Sequence, residues 1–170
     1  MLKDKFYTAI ATGFWVGKIP FMPGTWGSLL GVFIWLAFSH LFIHLQISFL
    51  ATIIFWFLAL VLIFILGIYS SNFYSKKISK EDPGEIVIDE ICGQLLTFFI
   101  GSFVMDVISN FTLIFLSFVF FRLFDITKPF IIGLADKNVK GGLGVMMDDL
   151  LAGAAAAVSL YCVFAVYIYL

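Results

Sequence analysis

From Ser48 to Tyr69 the chain runs without a single charged side chain, and no other feature limits its fold so strongly. A bilayer's hydrocarbon core is about 30 Å thick, so a helix needs about 20 consecutive apolar residues to cross it. Similar runs extend from Ser28 to about Leu45, from Ile86 to Val104, from about Val107 to Phe124 and from about Leu150 to Leu170. The chain is 62% hydrophobic and 12% charged with a mean hydropathy of +1.10, whereas soluble domains carry about 25% charged residues. A soluble domain of 170 residues has too little interior to hide that much apolar surface. The expected fold class is therefore all-α: a polytopic integral membrane bundle of about five spanning helices. Residues 6–16 are expected to add a short N-terminal interfacial or re-entrant helix. No internal repeat, low-complexity tract or linker interrupts residues 1–170, so a single domain is expected. Ala9–Ala11 has an Ala-x-Ala pattern but almost no hydrophobic run before it, which argues against a cleaved signal peptide.

The basic residues orient this layout. Lys3, Lys5 and Lys18 precede the first run. Lys76, Lys77 and Lys80 separate the second from the third, and Arg122, Lys128, Lys137 and Lys140 lie between the fourth and fifth or at the inner end of the fourth. The opposite connections, His40–Ser48 and Met105–Thr112, carry neither Lys nor Arg. Under the positive-inside rule the N-terminus is cytoplasmic and the C-terminus outside. The net charge of -1 says nothing about nucleic acid, but no basic stripe exists to follow a phosphate backbone, so no nucleic-acid partner is expected.

The carboxylates fall on one side of the same map. Asp89 and Glu90 open the third run, Asp125 follows the fourth, and Asp148 and Asp149 open the fifth. An ionisable residue inside the membrane costs about 2.5–3.5 kcal/mol on insertion scales, so such residues need a reason. Acids at helix N-termini complement the macrodipole, which suits Asp148 as an N-cap. That reading leaves the adjacent pairs unexplained, and Asp125 stands at a C-terminal end, where the dipole disfavours it. Helical spacing continues Glu90 into a small or polar stripe through Gly93 or Gln94, Thr97 and Gly101. It also gives the fifth run small-residue faces, Asp149-Gly153-Ala156 and Asp148-Ala152-Ala155, that allow close approach of neighbouring helices. Close approach would gather the acids, and hard oxygen ligands on a fixed frame suit Mg²⁺. The two histidines, His40 and His44, are expected on the far side, which argues against zinc. Cys92 and Cys162 read as small apolar residues in helices.

Two glycine-containing segments are candidate phosphate loops: Pro20 to Ser28, with Thr25 or Ser28 capping a helix or binding an anion, and Lys140-Gly141-Gly142-Leu143-Gly144. Arg122 and Lys128 are candidates for neutralising a head-group phosphate. Lys18, Thr25, Ser28, Arg122 and Lys128 are thus the expected substrate-binding residues.

Four motifs in order carry a resemblance. Pro23-Gly24-Thr25-Trp26-Gly27-Ser28, Asp89-Glu90-Ile91-Cys92-Gly93, Arg122-Leu123-Phe124-Asp125-Ile126-Thr127-Lys128-Pro129 and Gly144-Val145-Met146-Met147-Asp148-Asp149-Leu150-Leu151-Ala152-Gly153 together resemble bacterial phosphatidylglycerophosphatase A. Order and spacing match from about residue 13 to 155, and Ser70 to Gly84 match less well. The resemblance implies a Mg²⁺-dependent phosphatase of the inner membrane that converts phosphatidylglycerophosphate to phosphatidylglycerol. It also implies that the Asp-Glu pair, the Asp of Arg-x-x-Asp and the Asp-Asp pair form the active site.

Other phosphatase chemistries find no support in the residues. Cys92 is not followed by the Arg a cysteine phosphatase needs, the histidines lie away from the acids, and no Asp-x-Asp occurs. The expectation is that Asp89, Glu90, Asp148 and Asp149 hold one or two Mg²⁺ ions, with Asp125 a further ligand or supporting partner. An uncoordinated acid would then act as base. A covalent aspartyl-phosphate stays open as an alternative. The rival functions are a small cation or proton transporter, which should place acids near the bilayer midplane, a lipid transferase, whose Asp-Gly…Ala-Arg run is absent, and a purely structural subunit.

Overall fold

The computed structural model describes residues 2–103 and 111–169, without the side chains of residues 113 and 167–169. The described residues form helices and no strand: α1 (Leu2–Ala11), α2 (Pro23–His44), α3 (Phe49–Ile78), α4 (Ile88–Gly101), α5 (Phe111–Thr127), α6 (Ile131–Asn138) and α7 (Gly141–Tyr169), with a 3-10 turn at Val16–Lys18. The chain is an all-helical membrane bundle, as expected, but the span count differs. Among the described residues, three helices are long and apolar enough to cross a bilayer: Pro23–His44, Phe49–Ile78 and Gly141–Val166.

The third expected span, Ile86 to Val104, is instead a helix of 14 residues, about 21 Å long against the about 30 Å of a hydrocarbon core. Its start is fixed from outside: the backbone N–H of Val87 donates to the carbonyl of Ala11 at the end of α1 (2.9 Å). Ile88, Cys92, Leu95, Gln94, Thr97 and Phe98 are all buried, so α4 is the axial strut of the bundle. Trp35 of α2 stacks on Trp56 of α3 (4.4 Å between ring centroids) and on Phe98 of α4 (5.5 Å), tying the three helices together. By contrast, Phe57, Leu58, Leu62 and Ile65 of α3 face outward, where lipid is their solvent.

Other boundaries move for local reasons. Ser48 caps α3 by accepting from the Ala51 N–H (3.3 Å), and the helix continues past Tyr69 to Ile78, with Lys76 and Lys77 complementing its C-terminal dipole. The expected start of the fourth run near Val107 and most of the Met105–Thr112 connection lie outside the described residues. Helix α6 was not expected. It is short, and Phe130, Ile131 and Leu134 at its edge are 93%, 64% and 60% exposed. Helix α7 begins at Gly141, well ahead of Leu150, because Asn72 of α3 accepts the orphan N–H of Gly142 (2.7 Å). The Gly141–Gly144 segment is therefore the first turn of a helix, and Asp148 is not an N-cap but lies inside α7. Likewise Pro23 to Ser28 belong to α2, with Pro23 at its first position.

Small residues set the close approach of α4 and α7. A Cβ on Gly93 would stand 2.5 Å from the Phe121 ring and 2.6 Å from the Asp149 carbonyl oxygen, and one on Gly153 would run into the Gly93 carbonyl. Thr97 Oγ1 donates to the carbonyls of Gly93 (3.0 Å) and Gly153 (3.2 Å) at the same contact. Of the expected face Asp149-Gly153-Ala156, Asp149 and Gly153 meet α4, while Ala156 is buried in a cluster with Phe121 of α5. Gly153→Ala should lower stability by about 1–3 kcal/mol, because a backbone carbonyl cannot step aside. The midpoint of thermal unfolding in detergent reads this, and Gly84→Ala, with nothing within 4 Å of the new methyl, should leave that midpoint unchanged.

Candidate active site

The close contact of α4 and α7 brings the start of one helix against the third turn of the other. Asp89 and Glu90 then face Asp149 at one end of the bundle. One ligand oxygen from each of these three residues lies within 4.8 Å of the others. Asp89, Asp125, Asp148 and Asp149 are each less than a tenth exposed. They open on a cavity of ≈ 150 Å³ whose wall carries eight carboxylates, out of eleven in the chain, and two lysines.

Two of the acids are neutralised by neighbouring bases. Asp125 forms an ion pair with Arg122 on the same face of α5. The guanidinium also lies 3.8 Å from Glu90 Oε1 and donates from Nη1 to Ser28 Oγ (3.3 Å). Ser28 in turn donates to the Gly24 carbonyl (2.9 Å). Gly24 is fixed by this cluster: a Cβ there would collide with the Glu90 carboxylate and stand 3.1 Å from both Nη atoms of Arg122. The Pro23–Ser28 motif thus supplies a close seat for an arginine.

Asp148 is the second neutralised acid. Its Oδ2 lies 2.5 Å from Lys128 Nζ, and the same nitrogen lies 2.5 Å from Asp136 Oδ1 on α6. Burial disfavours the ammonium, but the hydrogen bonds and charges of Asp136 and Asp148 outweigh it and hold the Lys128 pKa above the usual lysine range.

The remaining oxygens have no such partner. Glu90 Oε2, Asp149 Oδ2 and Asp148 Oδ1 are buried with no hydrogen bond. Asp89 accepts a local bond from the Glu90 N–H (3.1 Å). Buried carboxylate oxygens are rarely left so, because the desolvation is uncompensated. A divalent cation on Asp89, Glu90 and Asp149 is the ligand this donor set fits, with hard oxygens and no nitrogen or sulfur among them. His40 and His44 sit at the other end of α2, and both cysteines are free, Cys92 buried and Cys162 exposed.

All five expected catalytic acids therefore meet at one end of the bundle. The expected substrate-binding set divides. Lys128 alone of the five lines the cavity. Lys18 is exposed and Thr25 half-buried, and neither reaches the cavity wall. Ser28 and Arg122 stand behind it, engaged with each other and with the acids. Glu81, Asp82 and Asp136 also line the cavity and were not singled out from the sequence. The first two stand shortly before Asp89 across the Pro83-Gly84 turn, a spacing that might have suggested them, whereas Asp136 depends on the unexpected α6.

A family model described as Phosphatidylglycerophosphatase A matches residues 9–164. A Bacteroides thetaiotaomicron protein, provisionally named a phosphatidylinositol-3-phosphatase, is 38% identical over 146 residues, 85% of this chain and 84% of that protein. Proteins named Phosphatidylglycerophosphatase A from Escherichia coli and Haemophilus influenzae are 33% and 32% identical, covering 89% and 91% of this chain and 80% and 86% of their own lengths. No solved structure matches with significance.

Removing the arginine should expose the balance of charge at this site. Arg122→Ala leaves Glu90 and Asp125 without their cation and should lower stability by about 3 kcal/mol. Adding Asp125→Asn to that variant should recover part of the loss. Thermal unfolding of both variants beside the parent checks this, and equal midpoints for the two variants would deny the pairing.

Proposed function

Because the chain belongs to the phosphatidylglycerophosphatase A family, we propose that it removes the terminal phosphate of phosphatidylglycerophosphate, giving phosphatidylglycerol and inorganic phosphate, with Mg²⁺ held by Asp89, Glu90 and Asp149. The observation that carries the metal assignment is the trio of close carboxylates, two of whose oxygens are buried and unpartnered. Held by these three carboxylates, the ion would supply polarisation of the phosphoryl oxygens and a lowered pKa for an attacking water.

The chain's own groups do the rest. Lys128, lining the cavity, faces the anionic phosphoryl group with a charge that its neighbours keep protonated. Asp148 lines the cavity outside the close trio of carboxylates, with Oδ2 on that lysine, and is the acid assigned to take the proton from the water. Arg122 does not reach the cavity. It holds Glu90 and Asp125 in place through Nη1, a positioning role in place of the expected substrate contact.

The end of the bundle that holds the acids also holds Lys18, Lys76, Lys77, Lys80 and Lys140, while His40 to Ser48 at the other end carries no Lys or Arg. The charge bias supports a cytoplasmic active site in the inner membrane, with the N-terminus inside. A cavity at one edge supports an enzyme acting on head groups over a transporter, whose acids should lie near the midplane.

The Bacteroides relative's name favours a second substrate reading, a phosphomonoester on an inositol head group. Both lipids present a terminal phosphate on a polyol joined to the lipid by a phosphodiester. Purified protein should release phosphate from phosphatidylglycerophosphate in the presence of Mg²⁺ and stop when the ion is chelated. Phosphatidylinositol 3-phosphate should be turned over at least about tenfold more slowly, a difference of about 1.4 kcal/mol in the barrier. Asp89→Asn and Asp149→Asn should each cut turnover by about 10³-fold or more while expression and membrane insertion stay intact. Full activity in both variants would reject the site, and a faster inositol lipid would reverse the substrate assignment.

A further inference from the structure

The oxygens that could take an ion fall into two sets. Asp89, Glu90 and Asp149 converge within 4.8 Å with open valences between them. Asp148 and Asp136 instead face each other across Lys128, whose Nζ lies 2.5 Å from each. The ammonium fills the place between two carboxylates that a divalent ion would otherwise take. Phosphatases with two ions hold them about 3.5–4 Å apart and spread the charge of the attacking and leaving oxygens over both. A second ion between Asp136 and Asp148 would have to displace the lysine from the oxygens it holds.

Resting on the metal-dependent reading above, we infer that the centre takes a single divalent cation and that the Lys128 ammonium, set between Asp136 and Asp148, is its built-in second positive charge. The backbone aims this lysine. Lys128 follows α5 at a left-handed φ of 44°, uncommon for a residue with a side chain, and its N–H is held by the Phe124 carbonyl (2.8 Å). Gly133 lets α6 pack onto that turn: a Cβ there would stand 2.6 Å from the Lys128 carbonyl oxygen. Helix α6 thus brings Asp136 to the side of Nζ opposite Asp148, and the pair of carboxylates fixes the charge at the cavity wall. A lysine that merely bridged helices would have no need to line the cavity. A fixed cation in place of an exchangeable one also makes turnover depend on one ion and not two.

The test counts ions. Detergent-purified full-length protein is titrated with Mn²⁺ by calorimetry and followed by electron paramagnetic resonance. The expected result is one Mn²⁺ per chain with an uncoupled spectrum. Lys128→Met, which frees Asp136 and Asp148, should take up two ions with a spin-coupled spectrum and lose about 10²-fold in turnover. Lys128→Arg should stay at one. Two ions in the unaltered protein would overturn the inference and leave the metal-dependent reading standing. No ion, with phosphate still released, would overturn both. A folded Lys128→Met that still binds only one ion would also overturn it. If that variant does not fold, the counts for the unaltered protein and Lys128→Arg decide.

Discussion

Mutual repulsion among eight carboxylates around one small cavity is the constraint to which the rest of this bundle answers. At an effective dielectric near about 20, two like unit charges about 4 Å apart repel by about 4 kcal/mol. A few such pairs would consume the whole stability of a typical domain, about 5–15 kcal/mol. Arg122 answers for Asp125 and in part for Glu90, and Lys128 answers for Asp148 and Asp136. The charge left over belongs to Asp89, Glu90 and Asp149, and it is there that the proposed cation would complete the fold as well as the site.

Glycine makes this crowding possible. The acids are brought together because α4 and α7 touch backbone to backbone at Gly93 and Gly153, and because Gly24 leaves room for a carboxylate and a guanidinium beside α2. In lipid the helices gain little from hiding apolar surface from one another, so tight packing and the Thr97 hydrogen bonds hold the contact. The aromatic stack of Trp35, Trp56 and Phe98 plays the same part farther along the bundle.

Much of this was legible in the residues. Uncharged runs gave α2, α3 and α7, and the placement of acids and bases at alternate connections put the site at one end before any coordinates. Two small faces on the fifth run were expected to admit neighbouring helices, and Asp149 and Gly153 of one of them meet α4. Hydropathy misjudged α4, because a helix buried among other helices is as apolar as one that crosses lipid, and only its tether at Val87 shows where it begins. It also missed the start of α7, since Gly141 to Gly144 look like a loop until Asn72 is seen capping them. The roles of Arg122 and Lys128 were the least readable. A basic residue near acids suits either a substrate phosphate or a neighbouring carboxylate, and distance alone separates the two.

The outward-facing Phe130, Ile131 and Leu134 give α6 an oily flank beside the acidic hollow that Asp136 helps to line. A surface of that kind seats the rim of the hollow at the depth where acyl chains give way to polar heads. A lipid can then turn its phosphate into the hollow without lifting its tails out of the leaflet. The search for substrate becomes two-dimensional: how often enzyme and lipid meet is set by the mole fraction of that lipid in the sheet, and not by how much of it the surrounding suspension contains.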